Sequence, residues 1–445
     1  MKFNKIYITP ILLVLAVFVS NGQEAKVITL EDASKLALEN SRLLKIKNYQ
    51  VAEKQTKISE NRVKYFPVAT VNSGYTYNTE VSELSIPAGK FGSLPIGGNT
   101  ISLPGKETVF PMTEKNLFNA GIQLYQPITQ MGKISQGVSV SKYEAKIVEK
   151  EADKARMQIK QAIEKLYYGI LISEQQKLES ESKIAMLELK TSNVESAVSS
   201  GKALESNQLG ILATLADEQQ TLLKTEIQLE NYKSDFKQLT GIEEDNFTLA
   251  MIEFKISELG SEKIDSTTVK ENADIQIANF TQSKAKAGLS AAKYSYLPDF
   301  GVVGGYDYQS GNYLYPINHL YIGVALKWNL NDFAGNTYSA KQRKIAHLQA
   351  TENRLNVEET TLKEANKIER NIRQALQLIN VAQKVVDYRT KDFEIQQSKL
   401  NAGLILESDF LGAKASLAKS QSDLLGAQLS YRIAVSEKQI LEGSY

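Results

Sequence analysis

One stretch occurs twice in this chain, and it constrains the fold more than any other feature. Gly403-Leu-Ile-Leu-Glu-Ser-Asp-Phe-Leu-Gly-Ala-Lys-Ala-Ser-Leu417 ends one long helical segment and begins another. Gly201-Lys-Ala-Leu-Glu-Ser-Asn-Gln-Leu-Gly-Ile-Leu-Ala-Thr-Leu215 does the same 202 residues earlier, with Gly, Leu, Glu, Ser, Leu, Gly, Ala and Leu at identical offsets. Two matches at one spacing mark an internal duplication. For 445 residues, one elongated molecule with two-fold pseudo-symmetry is then at least as good a reading as two or three globular domains.

Bulk properties exclude several classes of function. A net charge of +1 suggests neither a nucleic-acid surface nor an acidic-substrate surface. With no cysteine there are no disulfides, thiolate metal sites or cysteine nucleophiles, and two histidines leave the usual general base scarce. Residues 1–22 read as a secretory signal peptide: Lys2 and Lys5 precede an apolar run from Ile6 to Val19, and Ser20 and Gly22 suit cleavage before Gln23. The run is too short for a span of ~20 helical residues, and no later segment approaches that length.

The mature chain then repeats one plan. Residues 23–241 form the first repeat and 271–445 the second, with a linker or equatorial segment at 242–270. Thr29 and Asp32 suit a capping-box-like helix start, and the helix runs to about Lys64. Tyr65-Phe66-Pro67 stops it. Alternation over about 67–78 and 117–128 predicts two strands joined by a Gly-, Pro- and Ser-rich loop from Val81 to Lys115. A proline-free helix follows over about 133–200, roughly 100 Å long at 1.5 Å per residue. Beyond the Gly201 turn, helix resumes to Leu239, with Thr240-Gly241 as its C-cap. The second repeat has Tyr296-Leu297-Pro298, strands at about 299–309 and 319–330, a helix at about 335–402, the Gly403 turn and a final helix. The first hairpin loop is 29 residues longer than the second.

Two hairpins cannot make a stable soluble sheet by themselves. Strands of about ten residues with one apolar face and clustered tyrosines suit an outer-membrane barrel. Four strands cannot close one, so the barrel would be shared between chains. A soluble β-sandwich face is the competing reading. Likewise, the two adjacent apolar stripes on the long helices let each helix touch a neighbour on both sides and tile a wall, whereas a four-helix bundle is the plainer alternative.

The duplicated Gly-x-x-Leu-Glu-Ser-[Asn/Asp]-x-Leu-Gly-x-x-Ala turn and the two aromatic-x-Pro strand entries now combine with the hairpins ending Tyr125-Gln-Pro-Ile128 and Lys327-Trp-Asn-Leu330. In order and spacing, the whole mature chain resembles the TolC-type outer-membrane efflux proteins. The resemblance implies a mainly α fold with a β-barrel part: coiled-coil-like hairpins form a long α-helical barrel in the periplasm, fused to a 12-stranded transmembrane β-barrel shared by a homotrimer. It implies a passive duct, not an enzyme, that opens at its periplasmic tip and works with a periplasmic adaptor and an inner-membrane transporter. Outer-membrane lipid would surround it; no cofactor, metal or nucleic acid is implied.

The resemblance also nominates sites. Asp409, Glu407, Asn207 and Glu205 are candidates for the periplasmic aperture, with helix capping and dipole complementation as the plainer role for the glutamates. Gly201 and Gly403 supply left-handed backbone at the turns. Together with Leu204, Ser206, Leu406 and Ser408 they are candidates for adaptor docking, against simple turn packing. Trp328, Tyr321, Tyr306, Tyr308, Tyr75 and Tyr77 are candidates for a membrane girdle. Two departures qualify the likeness: Pro127-Ile-Thr-Gln130 and Asn329-Leu-Asn-Asp332 replace the family's usual Pro-apolar-Phe-Asp, and Gly412 stands where a second acidic ring is common. An exported structural or adhesive coiled coil explains the helices but not the paired hairpins. A periplasmic enzyme would need a site, and no nucleophile–base set is visible.

Overall fold

The structure is a computed structural model that describes residues 26–97, 99–244, 247–251, 264 and 268–443. The signal segment 1–22 and much of the 242–270 linker lie outside the described residues. The chain divides into two compact units, one bearing the sheet and one bearing the Gly201 and Gly403 turns.

The sheet-bearing unit comprises Arg42–Gln158, Gly260–Gln377 and Ser430–Tyr445. Its centre is an antiparallel sheet of β2 (Val68–Tyr77), β7 (Thr113–Pro127), β9 (Asp299–Asn312) and β10 (Asn318–Lys327), in the order β10-β9-β7-β2. Among the described residues β2 and β10 are both unpaired edges. The ladders align two faces. On one, Val71 stands opposite Ile122, Tyr75 opposite Phe118, Ile122 opposite Tyr306, and Val302 opposite Val324. The other carries Asn72, Asn119, Gln123, Tyr125, Asp307, His319, Tyr321 and Lys327. Alternation with period 2 segregates them. The apolar face is open on β10, where Leu320, Ile322 and Val324 are 81%, 85% and 70% exposed.

The loop expected from Val81 to Lys115 is structured. β3 (Glu83–Ile86) pairs with β6 (Thr108–Pro111), and β4 (Ser93–Ile96) with β5 (Asn99–Ser102), so the β2–β7 hairpin continues as an arm of two short ladders. The strand expected to reach Leu330 stops at Lys327, and β9 runs on to Asn312 where a turn was expected from Gln309.

Helices α2 (Arg42–Val63), α3 (Met131–Ser199), α5 (Ala273–Tyr294) and α6 (Asp332–Asn401) continue from these strands. In this unit they stand in the same order as the strands. Lys47 bonds Glu151 at 2.9 Å between α2 and α3. Lys154 bonds Asp274 at 2.8 Å, and Tyr143 stacks on Phe280, between α3 and α5. Gln282 donates to Thr351 between α5 and α6. Ala145, Ala152 and Ala155 on α3, Ala278 on α5 and Ala365 and Ala375 on α6 are buried, and such small side chains permit close packing. The helix expected unbroken to Lys64 ends first at Asn40, where Ser41 caps α1 (Leu30–Asn40), and restarts at Arg42.

The turn-bearing unit comprises Met1–Ser41, Ile159–Leu259 and Leu378–Leu429. Its helices are α1, α4 (Glu205–Thr240), the distal parts of α3 and α6, and α7 (Glu407–Glu442) as far as Leu429. Lys177 bonds Glu226 at 2.8 Å between α3 and α4, Met186 of α3 faces Gly412 of α7, and Phe393 of α6 packs on Phe410 of α7 at 5.3 Å. The row is therefore α4-α3-α7-α6. Thr29 caps α1, accepting from the Asp32 N–H at 3.1 Å. A parallel ladder of β1 (Lys26–Ile28) with β8 (Phe247–Leu249) covers the row; sequence reading assigned β8 only to a mixed linker. Tyr167 is fully buried beneath it, its hydroxyl donating between Ile28 O at 2.9 Å and Ala250 O at 2.7 Å. Phe236 stacks between Tyr167 and Phe247. Gly241 closes α4 at φ 74°.

Candidate functional site

The two turns share one backbone. Gly201 has φ 71° and Gly403 φ 69°. Lys202 N–H reaches Ala197 O at 2.8 Å and Leu404 N–H reaches Lys399 O at 2.9 Å, the six-to-one bond of a Schellman cap. A Cβ on either glycine would meet nothing within 4 Å, so the glycines are needed for their dihedrals and not for space.

Chemically the tips differ. Leu204, Glu205, Ser206, Asn207, Leu406, Glu407 and Asp409 are exposed, and none of Glu205, Asn207, Glu407 and Asp409 has a side-chain partner among the described residues. Leu204 occupies the N-cap of α4 without a side-chain cap, so Glu205 complements the helix dipole and does not cap. Ser408, expected at the exposed tip, is 5% exposed and leaves the docking set. The cause is position in the row: α7 has a helix on both sides, whereas α4 has α3 on one side and leaves Ser206 open. Sequence reading also missed a clasp. Phe393 and Phe410 join α6 to α7, while Thr191 and Gln208 hold the equivalent places on α3 and α4. The α3–α4 hairpin is instead laced by Lys177–Glu226 and Lys233–Glu174.

On the sheet, the apolar face gathers aromatic side chains at its loop end. Phe118 meets Tyr308 edge-on at 6.1 Å, Tyr306 donates to Asn318, and Tyr75 donates to Asn116. Tyr77 lies in the same band and Trp328 just past the helix end of β10. Tyr321 does not belong with them. It sits on the polar face, stacked on His319 at 5.5 Å, as its parity in β10 dictates.

Glycines make room on that polar face. Tyr321 stands opposite Gly305, Asp307 opposite Gly121 and Asn119 opposite Gly74. A Cβ on these glycines would lie 2.6, 2.1 and 2.6 Å from Tyr321 Oη, Asp307 Oδ1 and Asn119 Oδ1, respectively. Each polar side chain therefore lies flat over the next strand. In-strand glycine was the available signal, because glycine weakens a strand and marks close approach. Below the sheet, a cavity of about 310 Å³ opens where β9 and β10 meet α5 and α6, beside Tyr294, Tyr296, Trp328 and Asp332.

Among the described residues, no helix is long and apolar enough to cross a membrane, and no cluster of His, Cys, Asp and Glu is disposed to hold a metal ion. Residues 266–437 match the outer membrane efflux protein family. Comparison with curated proteins gives no match. Solved structures do share the fold. The Campylobacter jejuni CmeC outer membrane channel aligns over 93% of this chain and 85% of its own, at TM-score 0.71 and 16% identity. The outer membrane protein VceC from Vibrio cholerae aligns over 93% and 96%, at TM-score 0.68 and 15% identity. The open state of the Neisseria gonorrhoeae MtrE outer membrane channel aligns over 93% and 89%, at TM-score 0.69 and 14% identity.

Proposed function

This chain carries an outer membrane efflux protein domain, and on that premise we propose that it is one subunit of a homotrimeric duct through the outer membrane and periplasm. The observation that carries the reading is the four-stranded sheet, with two edges unpaired among the described residues and an exposed apolar face. A bare edge and a bare apolar face are both unstable in water. Pairing β2 of one copy with β10 of the next buries both edges head to tail, and three copies close twelve strands around a polar interior. The helix rows fit the same closure. The outer helices of the row expose Leu209, Leu212 and Ile227 on α4, and Leu378, Val381 and Val385 on α6, for a neighbour.

The duct is passive and has no catalytic role. Its helical part lies in the periplasm, where the exposed tips at Leu204, Ser206 and Leu406 dock an adaptor that couples it to an inner-membrane transporter. Asp409, exposed and without a partner, supplies one acidic ring at the aperture. Three like charges near an axis repel one another and favour cations. An exported coiled coil of structural role leaves the sheet unexplained.

Single-channel recording on the detergent-extracted protein tests the duct. A soluble monomer without pore activity would end this reading. Asp409→Ala should change conductance or block by cations, and identical conductance, selectivity and block would sink the assignment of the aperture alone.

A further inference from the structure

Charge is sparse on the polar face of the sheet. β2 carries none, and over residues 117–127 β7 carries none. β9 and β10 contribute two opposed pairs: Asp299 faces Lys327 at the helix end, and Asp307 faces His319 towards the loop end. The two carboxylates are treated differently. Asp299 accepts the Tyr125 hydroxyl at 3.0 Å. Asp307 is exposed and has no side-chain partner among the described residues. It lies over Gly121, where a Cβ would come within 2.1 Å of Oδ1. The closest lysine along β7 is Lys115, about 20 Å from Gly121 at 3.3–3.4 Å per residue.

Resting on the reading that this face lines a pore, we propose that Asp307 is the cation-selecting residue of the strand wall and that Gly121 is its positioning residue. In three copies, Asp307 makes a carboxylate ring separate from any ring at the turn tips. An unpaired carboxylate held against a low-dielectric wall concentrates counter-ions, and a pore focuses the field. Tyr321, on the same face and stacked on His319, adds a π surface that suits organic ammonium groups as well as metal cations. With alanine at position 121 the carboxylate has to lift off the wall, which shifts the ring while leaving its charge.

The test is the permeability ratio of potassium to chloride, read from the reversal potential of the purified full-length protein in a planar bilayer under a potassium chloride gradient. The wild type should favour potassium. Asp307→Asn should lower that preference with pores still present. Because the chain has no cysteine, Asp307→Cys gives a second readout. A negatively charged thiol reagent should restore cation preference and a positively charged one should reverse it. A wild type without preference, an Asp307→Asn ratio equal to the wild type, or indifference of Asp307→Cys to reagent charge overturns the inference while leaving the duct intact. Absence of any wild-type pore overturns the duct, and this inference with it.

Discussion

Ile322 separates a membrane sheet from a soluble one. It sits midway along β10, on the face shared with Val302 and Leu326, and is 85% exposed. If that face met water, Ile322→Lys would remove nothing buried and would change stability by no more than about 0.5 kcal/mol. If it meets hydrocarbon at mid-depth, a lysine there costs about 2–4 kcal/mol per site, and a trimer carries the cost three times. Ala325→Lys is the control, because Ala325 lies on the polar face of the same strand and should be close to neutral. Denaturant unfolding of vesicle-reconstituted protein, followed by loss of the folded band in cold electrophoresis, measures both. Equal midpoints for wild type and Ile322→Lys, or equal losses for the two variants, would refute the assignment of faces.

Tyr167→Phe should cost about 1–3 kcal/mol, because it strips the donor shared by the buried Ile28 carbonyl and the half-buried Ala250 carbonyl; thermal melts of the reconstituted protein check this. Burial also pushes the Tyr167 hydroxyl up to about 12, against about 10 when unfolded. Its contribution is therefore complete below pH ~10 and is lost as pH rises towards 12, so Tyr167→Phe should flatten the alkaline part of the stability profile. Gly201→Ala and Gly403→Ala should each cost about 1–2 kcal/mol of left-handed backbone strain. Because no neighbour is touched, leucine should cost little more than alanine, and a much larger effect of leucine in denaturant titrations would place a partner against the turn.

The parts legible in the sequence were those with a local period. Strand alternation located β2, β7, β9 and β10 and sorted their faces, since one face is apolar throughout. The Gly201 and Gly403 turns were legible because only glycine holds that dihedral cheaply. What escaped was set by distance. β1 and β8 are three residues each and meet across 221 positions, too little sequence for a period to register. β3 to β6 were hidden by their Gly, Pro and Ser composition. Ser206 and Ser408 occupy equivalent places in the repeat, and their different burial follows from which helix is flanked on both sides. Tyr321 shows the reverse error: its parity already placed it with the polar residues, and grouping it with the girdle by residue type overrode the better signal.

Strands and helices in the sheet-bearing unit run in one order, column for column. Their widths do not match. Paired strands lie about 4.8 Å apart, and packed helices 8–10 Å apart. Four strands thus occupy about 14 Å between outer axes, while the four helices that continue them need roughly 24–30 Å. The wall must spread within the few residues linking each pair, around Pro67, Ile128, Pro298 and Asn329. The cavity beside Tyr294 and Trp328 lies in this zone of divergence, so residues there set how steeply the wall widens from strands to helices.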